Sequence, residues 1–335
     1  MVTLAQAKVG REDKMYGQVI DTLRRQSPLM DKMEFDDCVN PSIGGSNLSY
    51  SYMRTKTPST ADFREIGSEY NENTAAREKI TTELKVFGGD YKVDRVIAET
   101  SGIVDEVSYQ MEEKIKATKN LFHHTIINGD NATNSKTFDG LNVALAGSST
   151  EVNAQGYIDI STSDAMDSNY KKVLDMMDAF LAEISGKPSF LLGNSKLIAK
   201  LKGAARRAGY LTRSEDAFGK AMEGYDGIPF LDMEYYAKVS SEGTVTEEPI
   251  VPILSRTLGS GESASSVTGL TDLYAVTLGL DGFHGVTVTK GGIITYRLPD
   301  FKTAGAVKNG DVEMVASIAL KNTRKAGVLR NLKVS

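Results

Sequence analysis

An α+β fold, with helices and strands mixed irregularly along the chain, is what this sequence of 335 residues predicts. Two stretches alternate apolar and polar residues with the period of a strand, NLSYSYMRTK at 47–56 and REKITTELKV at 77–86. Two others, 103–127 and 167–184, repeat apolar residues every three or four positions, as an amphipathic helix does. Short strand-like runs and glycine-rich turns fill the remainder, with no internal repeat and no low-complexity tract.

The elements follow in order. Residues 1 to about 35 read as an arm, with Met15, Val19, Ile20 and Leu23 on one helical face and Pro28 ending the pattern. So short a helix needs a surface to lie on. Next come the strands. Leu48, Tyr50 and Tyr52 oppose Ser49 and Ser51, and Ile80, Thr82, Leu84 and Val86 alternate in the second run. The intervening segment, TPSTADFREIGSEYNENTAA, is charged, has no face to bury, and exceeds an ordinary hairpin loop. A long protruding hairpin is the reading, and an isolated two-stranded ribbon is marginal in water. It is covered either by another subunit or by folding back on its own domain.

Val104, Val107, Met111, Ile115, Phe122 and Ile126 then define one long helix from Ile103 to Ile127, about 38 Å at 1.5 Å per residue. Ser101 is its candidate N-cap, Asp105 and Glu106 suit its positive end, and Asn128-Gly129 stops it. A loop and a short element around Phe138 and Leu141 follow. Helix 167–184 ends at Gly186, strand SFLL spans 189–192, and a helix capped by Asn194 or Ser195 runs to Ala208 before Gly209. Further strands are expected over 228–231, 248–254 and 272–280. A tight turn is expected at Gly291-Gly292, and a helix or strand over VEMVASIAL at 312–320.

Composition is ordinary for a globular chain: 40% apolar, 25% charged, with 44 acids and 39 bases giving a net charge of −5. Disorder, a collagen-like rod and strong DNA-binding electrostatics do not fit those values. The single cysteine, Cys38, excludes an internal disulfide or a multi-cysteine zinc module. No apolar run reaches the ~18 residues of a membrane span, and MVTLAQAKVGREDK lacks a signal-peptide core, so no membrane partner is expected.

Catalytic spellings are missing. There is no GxxxxGK[ST], no GxGxxG opening a helix and no GxSxG elbow, and LGSGESASS at 258–266 reads as a loop. His123 and His124 would point about 100° apart on a helix and cannot share a metal as an HExxH pair does. His284 is the one histidine with which a hydrolase reading could be built. Cys38 sits beside Asp36 and Asp37, which raise a thiol pKa, and reads as a packed residue. The expectation is no catalytic residue, no cofactor and no metal.

Charge is segregated. Lys187, Lys196, Lys200, Lys202, Arg206, Arg207 and Arg213 lie in a stretch without acids, the next stretch to Glu248 is acidic, and after Glu313 only bases occur: Lys321, Arg324, Lys325, Arg330 and Lys333. A solvated face, opposite patches meeting between copies, or a basic patch (Lys196, Lys200, Arg206, Arg207) touching phosphates without sequence readout all suit this pattern.

In order, SPLMDKMEFDD, YSYMRTKTPSTADFREIGSEYNE, the long helix ending INGDNATNSKTFDGLNVAL, SFLLGNSKLIAKLKGAARRAGY, GIPFLDMEY, ITYRLPDF and MVASIALKNTRKAGV resemble the major capsid proteins of tailed bacteriophages, the Hong Kong 97-type fold. The likeness spans essentially the whole chain and rests on order and spacing, not on one motif. It implies an N-terminal arm (1–42), an extended loop (43–86), a peripheral domain with the long spine helix (87–150 and 287–315) and an axial domain (151–286 and 316–335).

It also implies a structural, non-enzymatic subunit that assembles with itself as pentamers and hexamers into an icosahedral shell around double-stranded DNA. Such a chain would be made in the host bacterial cytoplasm and located in the virion. A separate scaffolding protein, a portal and a decoration protein are the further partners implied. The extended loop would lie on a neighbour, making Leu48, Tyr50, Tyr52, Arg54, Lys56, Arg64, Glu65 and Glu69 candidate interface residues. Certain members cross-link a loop lysine to a peripheral asparagine. Lys56 and Asn309 lie in corresponding regions, and read equally as a solvated lysine and a turn dipeptide, Asn309-Gly310. The alternative is an encapsulin, a compartment shell of similar fold whose subunits are expected to be shorter and without so long a hairpin.

Overall fold

The computed structural model of the chain describes residues 27–38, 48–100, 105–153, 155–209, 211–215, 221–259, 264–288 and 293–335. The expected arm helix, the Ser101 cap, the Gly291-Gly292 turn and residues 260–263 of the glycine-serine loop lie outside the described residues.

A 3-10 turn at Met30–Lys32 leads to strand β1 (Phe35–Asp37). Strands β2 (Ser49–Thr57) and β3 (Ala76–Glu83) pair antiparallel from Ser49↔Glu83 out to Thr57↔Ala76, which is the expected long hairpin. The run read as one strand over 77–86 is two. Even-numbered residues face inward up to Leu84, odd-numbered ones from Lys85 onward, so the chain kinks there and enters β4 (Lys85–Asp94) with a new partner. Helix α1 (Arg95–Thr100) precedes the spine, α2 (Glu106–Asn128), about 34 Å long. Asp105 caps α2 through its carboxylate, which accepts from the Val107 N–H.

The short helix α3 (Leu141–Ala144) and two-residue strands β5 (Glu151–Val152) and β6 (Ile158–Asp159) come next. Helix α4 (Ser163–Glu183) starts four residues before the expected 167, because the Thr162 hydroxyl accepts from Ala165 N–H at 3.2 Å. Strand β7 (Phe190–Gly193) and helix α5 (Ser195–Ala208) match expectation, with Asn194 as N-cap and Gly209 left-handed at φ 77. Beyond them lie β8 (Leu211–Glu215), β9 (Ala221–Tyr225), β10 (Ile228–Asp232), β11 (Tyr235–Val239), β12 (Val245–Pro249) and β13 (Leu254–Leu258). The strand expected over 248–254 does not form. Pro249 and Pro252 punctuate it, and Ile250 and Val251 are buried as a connection instead. Finally come β14 (Ser265–Val276), β15 (Phe283–Thr287), β16 (Ile294–Arg297), β17 (Val307–Leu320) and β18 (Ala326–Lys333), so VEMVASIAL is strand.

Two main sheets result. The smaller has the order β1-β15-β17-β16, with β4 also paired to β17; the larger runs β5-β18-β14-β7-β10-β9-β8, with β13 on β14 and β6 on β18. β17 is unbroken to Leu320, so the change of sheet falls between 320 and 326, and β15 puts Phe283–Thr287 in the smaller sheet. Asn309-Gly310 is mid-strand opposite Lys92 and Tyr91, not a turn, and Gly310 is needed because a Cβ there would meet the buried Tyr91 ring. One core joins the sheets: Phe122 and Ile126 of α2 pack with Phe283 and Met314 of the smaller sheet and Leu192, Tyr274 and Val328 of the larger. A second core seats α4 and α5 on the larger sheet.

Candidate subunit-interaction surface

The β2–β3 ribbon has a root and a tip that differ physically. At the root, Tyr50 and Tyr52 face the smaller sheet. Tyr50 Oη donates to Asp36 Oδ2 at 2.6 Å, its ring meets His284 edge-on at 5.9 Å, and Lys321 Nζ lies 5.4 Å from the ring centre. Tyr52 Oη donates to the Leu320 carbonyl at 2.8 Å. Both rings cover Cys38, Leu84, Val286 and Ala319. The aromatic stripe expected to need a neighbour is therefore half-buried on its own chain. Arg54 closes the root, with Nε and Nη2 donating to Glu78 Oε1 at 2.9 and 2.6 Å. Leu48, at the root's edge, is 55% exposed.

Beyond Arg54 the ribbon leaves the body. Lys56 and all residues from 57 to 76 are exposed. The tip holds itself only by local contacts: Ser68 N–H donates to the Glu65 carbonyl at 3.1 Å, Arg64 Nη1 to the Ser68 carbonyl at 3.2 Å, and Asn73 Nδ2 to Thr60 Oγ1 at 2.7 Å. Arg64 lies 5.3 Å over the Tyr70 ring, and Glu65 and Glu69 point into solvent. Phe63 and Ile66 are exposed at 103% and 105%, so none of the described residues covers them. The sequence reading missed both, because charged neighbours mask two apolar residues. Two large apolar side chains left bare at the end of a projecting ribbon make the tip a candidate interaction site.

The segregated charges largely resolve within the fold. Every tail base finds an acid distant in sequence: Lys321 with Asp36 (3.9 Å), Arg324 with Glu183 (3.7 Å), Lys325 with Asp281 (3.9 Å), Arg330 with Glu151 (2.8 Å) and Lys333 with Asp159 (3.2 Å). On α5, Lys202 pairs with Glu223 at 3.0 Å and Arg207 with Asp167 at 2.7 Å, while Lys200 Nζ donates to the Ser161 carbonyl. Lys196 and Arg206 stay exposed and make no ion pair among the described residues.

Of the histidines, His123 and His284 are fully buried, and His124 stacks on Tyr236 at 4.4 Å. Burial, then the Lys321 ammonium, hold the His284 imidazole below its ordinary value. Among the described residues no His/Cys/Asp/Glu cluster is arranged to hold a metal. Burial, then Asp36 and Asp37, push the Cys38 thiol up to about 11. The native protein is thus expected to react with a thiol reagent at pH 8 about 10²-fold more slowly than the urea-unfolded chain. Equal rates in a timed colour assay would show that the ribbon root opens freely.

A second hairpin, β11–β12, went unpredicted. Its root is fastened to α2: Asn120, 1% exposed, donates from Nδ2 to the Tyr235 carbonyl at 2.8 Å and accepts from Ala237 N–H at 3.0 Å, so its amide imitates a strand partner. Asn128 Nδ2 donates to the Ile250 carbonyl at 2.7 Å. Its exposed end carries the cross-strand pair Val239↔Val245, 62% and 43% exposed.

With a projecting ribbon on two sheets spanned by a long helix, the chain has the Hong Kong 97-type capsid fold. Among solved structures it is similar to the encapsulin complex of Synechococcus elongatus, with a TM-score of 0.63, 16% identity, and coverage of 100% of this chain and 97% of that one. It is also similar to the capsid of a native GTA particle (0.60, 12% identity, 99% of each chain) and to Mycobacterium phage Bobi (0.60, 11% identity, 100% of each). No protein-family model matches the chain, and no curated protein matches it. The expectation that encapsulin subunits are shorter fails for the Synechococcus chain, which this one spans almost end to end.

Proposed function

We propose that this chain is the structural subunit of a phage capsid, assembling with itself as pentamers and hexamers into an icosahedral shell around double-stranded DNA, without a catalytic role. The observation that carries the reading is the projecting ribbon whose tip leaves Phe63 and Ile66 bare, on a chain with a shell fold. The ribbon serves as the extended loop and lies on a neighbouring copy. The smaller sheet with α2 makes the peripheral domain, and the larger sheet with α4 and α5 the axial domain. Leu48, Lys56, Arg64, Glu65 and Glu69 sit on accessible parts of the ribbon and join Phe63 and Ile66 in the contact. Tyr50, Tyr52 and Arg54 act by fixing the angle at which the ribbon leaves. A separate scaffolding protein, a portal and a decoration protein complete the particle, which forms in the bacterial host and persists as the virion shell.

The second reading, an encapsulin-type compartment, is favoured by the match with the Synechococcus chain. Negative-stain images of the expressed protein test both: closed shells or hexamer sheets support a shell subunit, whereas only small discrete particles overturn it. Purification from cells that also carry the neighbouring genes then separates the two, since co-purified nuclease-protected DNA supports the capsid and a co-purified enzyme the compartment.

A further inference from the structure

We infer that His284 is an acid-operated latch for the β2–β3 ribbon: a proton on its imidazole is accommodated only after Tyr50 leaves the smaller sheet, so acidification frees the ribbon root while the body stays folded. The inference goes beyond the shell reading and does not depend on it, because it concerns a single subunit. Strand register assembles the latch. Asp36 on β1 pairs with Val286 on β15, and His284 pairs with Ala319 on β17. Directly paired residues share a face, and so do positions two apart on one strand. Asp36, His284, Val286 and Ala319 therefore line the face of the smaller sheet that the ribbon root covers, with Cys38 and Lys321 beside them.

His284 is 0% exposed there, and neither ring nitrogen makes a well-formed hydrogen bond among the described residues. The groups that favour a proton are already engaged. The Asp36 carboxylate accepts from Tyr50 Oη at 2.6 Å and lies 3.9 Å from the Lys321 ammonium. The Gly282 and Gly279 carbonyls accept main-chain bonds from the Lys321 and Gly282 N–H groups at 3.2 and 3.0 Å. Against a proton stand burial and Lys321 itself, whose ammonium also lies 5.4 Å from the Tyr50 ring centre. Cys38 and Tyr52, whose ionisation burial pushes up, stay neutral, and Asp281 in the turn before β15 pairs with Lys325 at 3.9 Å. A second cation in this pocket would have to share one carboxylate with the first, and a buried charge without its own partner is strongly disfavoured. Opening relieves it. The Tyr50 ring is edge-on to His284, and both hydroxyl anchors of the root, Asp36 for Tyr50 and the Leu320 carbonyl for Tyr52, adjoin Lys321.

An imidazole held below its ordinary value contributes closing stability that is fully present above its open-state pKa, about 6.5, and is lost tenfold per pH unit as pH falls towards the closed-state value. At pH 5 the open fraction is therefore expected to be up to about 30-fold larger than at pH 8.

Cys38 reports the opening, since the Tyr50 and Tyr52 rings cover it and it is the chain's single thiol. The dispersed full-length subunit is reacted with a dipyridyl disulfide at pH 8 and at pH 5, and each rate is divided by that of the urea-unfolded chain at the same pH. For the wild type this ratio is expected to rise at least about threefold from pH 8 to pH 5, with the far-ultraviolet circular dichroism unchanged. For His284→Phe, which keeps an aromatic ring and has no proton to take up, the ratio is expected to stay flat; His124 is untouched in that variant, so the flat profile assigns the effect to position 284. For Lys321→Met, which removes the opposing ammonium, the rise is expected to shrink. A wild-type rise below about threefold, an equal rise in His284→Phe, or opening accompanied by loss of the helix signal overturns the latch. Should His284→Phe fail to melt cooperatively, Lys321→Met decides, and an undiminished rise there overturns it. None of these outcomes touches the shell reading.

Discussion

A subunit in which residues 58–75 are replaced by an Asn-Gly turn is expected to fold with unchanged stability and to form no closed shells. The replaced stretch is exposed throughout, and its hydrogen bonds are local to it. Its loss removes no packing from the body, and the change in unfolding free energy should stay within about 0.5 kcal/mol. An Asn-Gly dipeptide suits a two-residue hairpin and leaves the Thr57↔Ala76 end of the ladder intact. The Arg54–Glu78 and Tyr52–Leu320 links remain in place. What disappears is the only part of the described ribbon with Phe63 and Ile66 on offer. Thermal melting of the dispersed subunit and sedimentation of the assembly mixture read the two effects separately. Wild-type particle yield from the shortened chain would remove the ribbon from the assembly mechanism.

Asp272→Ala is expected to destabilise the dispersed subunit by about 3–5 kcal/mol, the range for breaking a buried ion pair from one side. Asp272 is 3% exposed and accepts from Arg256 Nη1 and Nη2 at 2.6 and 2.7 Å, from Arg330 Nη1 at 3.0 Å and from Asn331 N–H at 3.0 Å. Arg330 also reaches Glu151 and the side chain and carbonyl of Asn142, so the network ties β13, β14, β18 and β5 to α3. Burial disfavours the Asp272 carboxylate, but the hydrogen bonds and charge of Arg256, with Arg330 and Asn331 N–H, outweigh it and hold the carboxyl below its ordinary value. A depressed carboxyl contributes stability that is fully present above its unfolded pKa, about 3.9, and is lost as pH falls through the lower folded value. Urea denaturation should therefore show a wild-type advantage over Asp272→Ala at pH 7 that shrinks in strong acid. A difference below about 1 kcal/mol at pH 7, where the exposed Arg297–Asp311 pair would give as much, would contradict this account.

Local chemistry made much of the fold legible. Asn194 and Gly209 bracket α5 because a side-chain oxygen and a left-handed glycine suit those ends, and the strand alternation before and after residues 57–76 located the ribbon. Long-range pairing was not legible. The tail cations looked like one basic run, yet their acids lie far off in sequence, Glu151 179 positions before Arg330 and Asp36 farther still from Lys321. Leu84 carries no local signal that its strand changes partners, since alternation continues until the parity flips. At the interaction surface, Tyr50 and Tyr52 were correctly placed on one face, but sequence does not say whose surface covers it. Asn120 is a single polar residue on a helix, and only the tertiary fold turns it into a clasp for β11. The β11–β12 hairpin did have a signal: Gly243, at φ 78, in a Ser-Ser-Glu-Gly turn between two valines.

Strand β18 lies between β14 and the short β5 and β6, inside the larger sheet. Residues 326–333 are thus the wedge that joins β14, made some fifty positions earlier, to elements made well before it. While the ribosome is still elongating, at about 5–20 residues per second, the nascent chain lacks that wedge and its larger sheet stays split. A chain still held by the ribosome is consequently expected to expose the edges of β14 and β5, and its larger sheet closes only once residues 326–333 are free to pair.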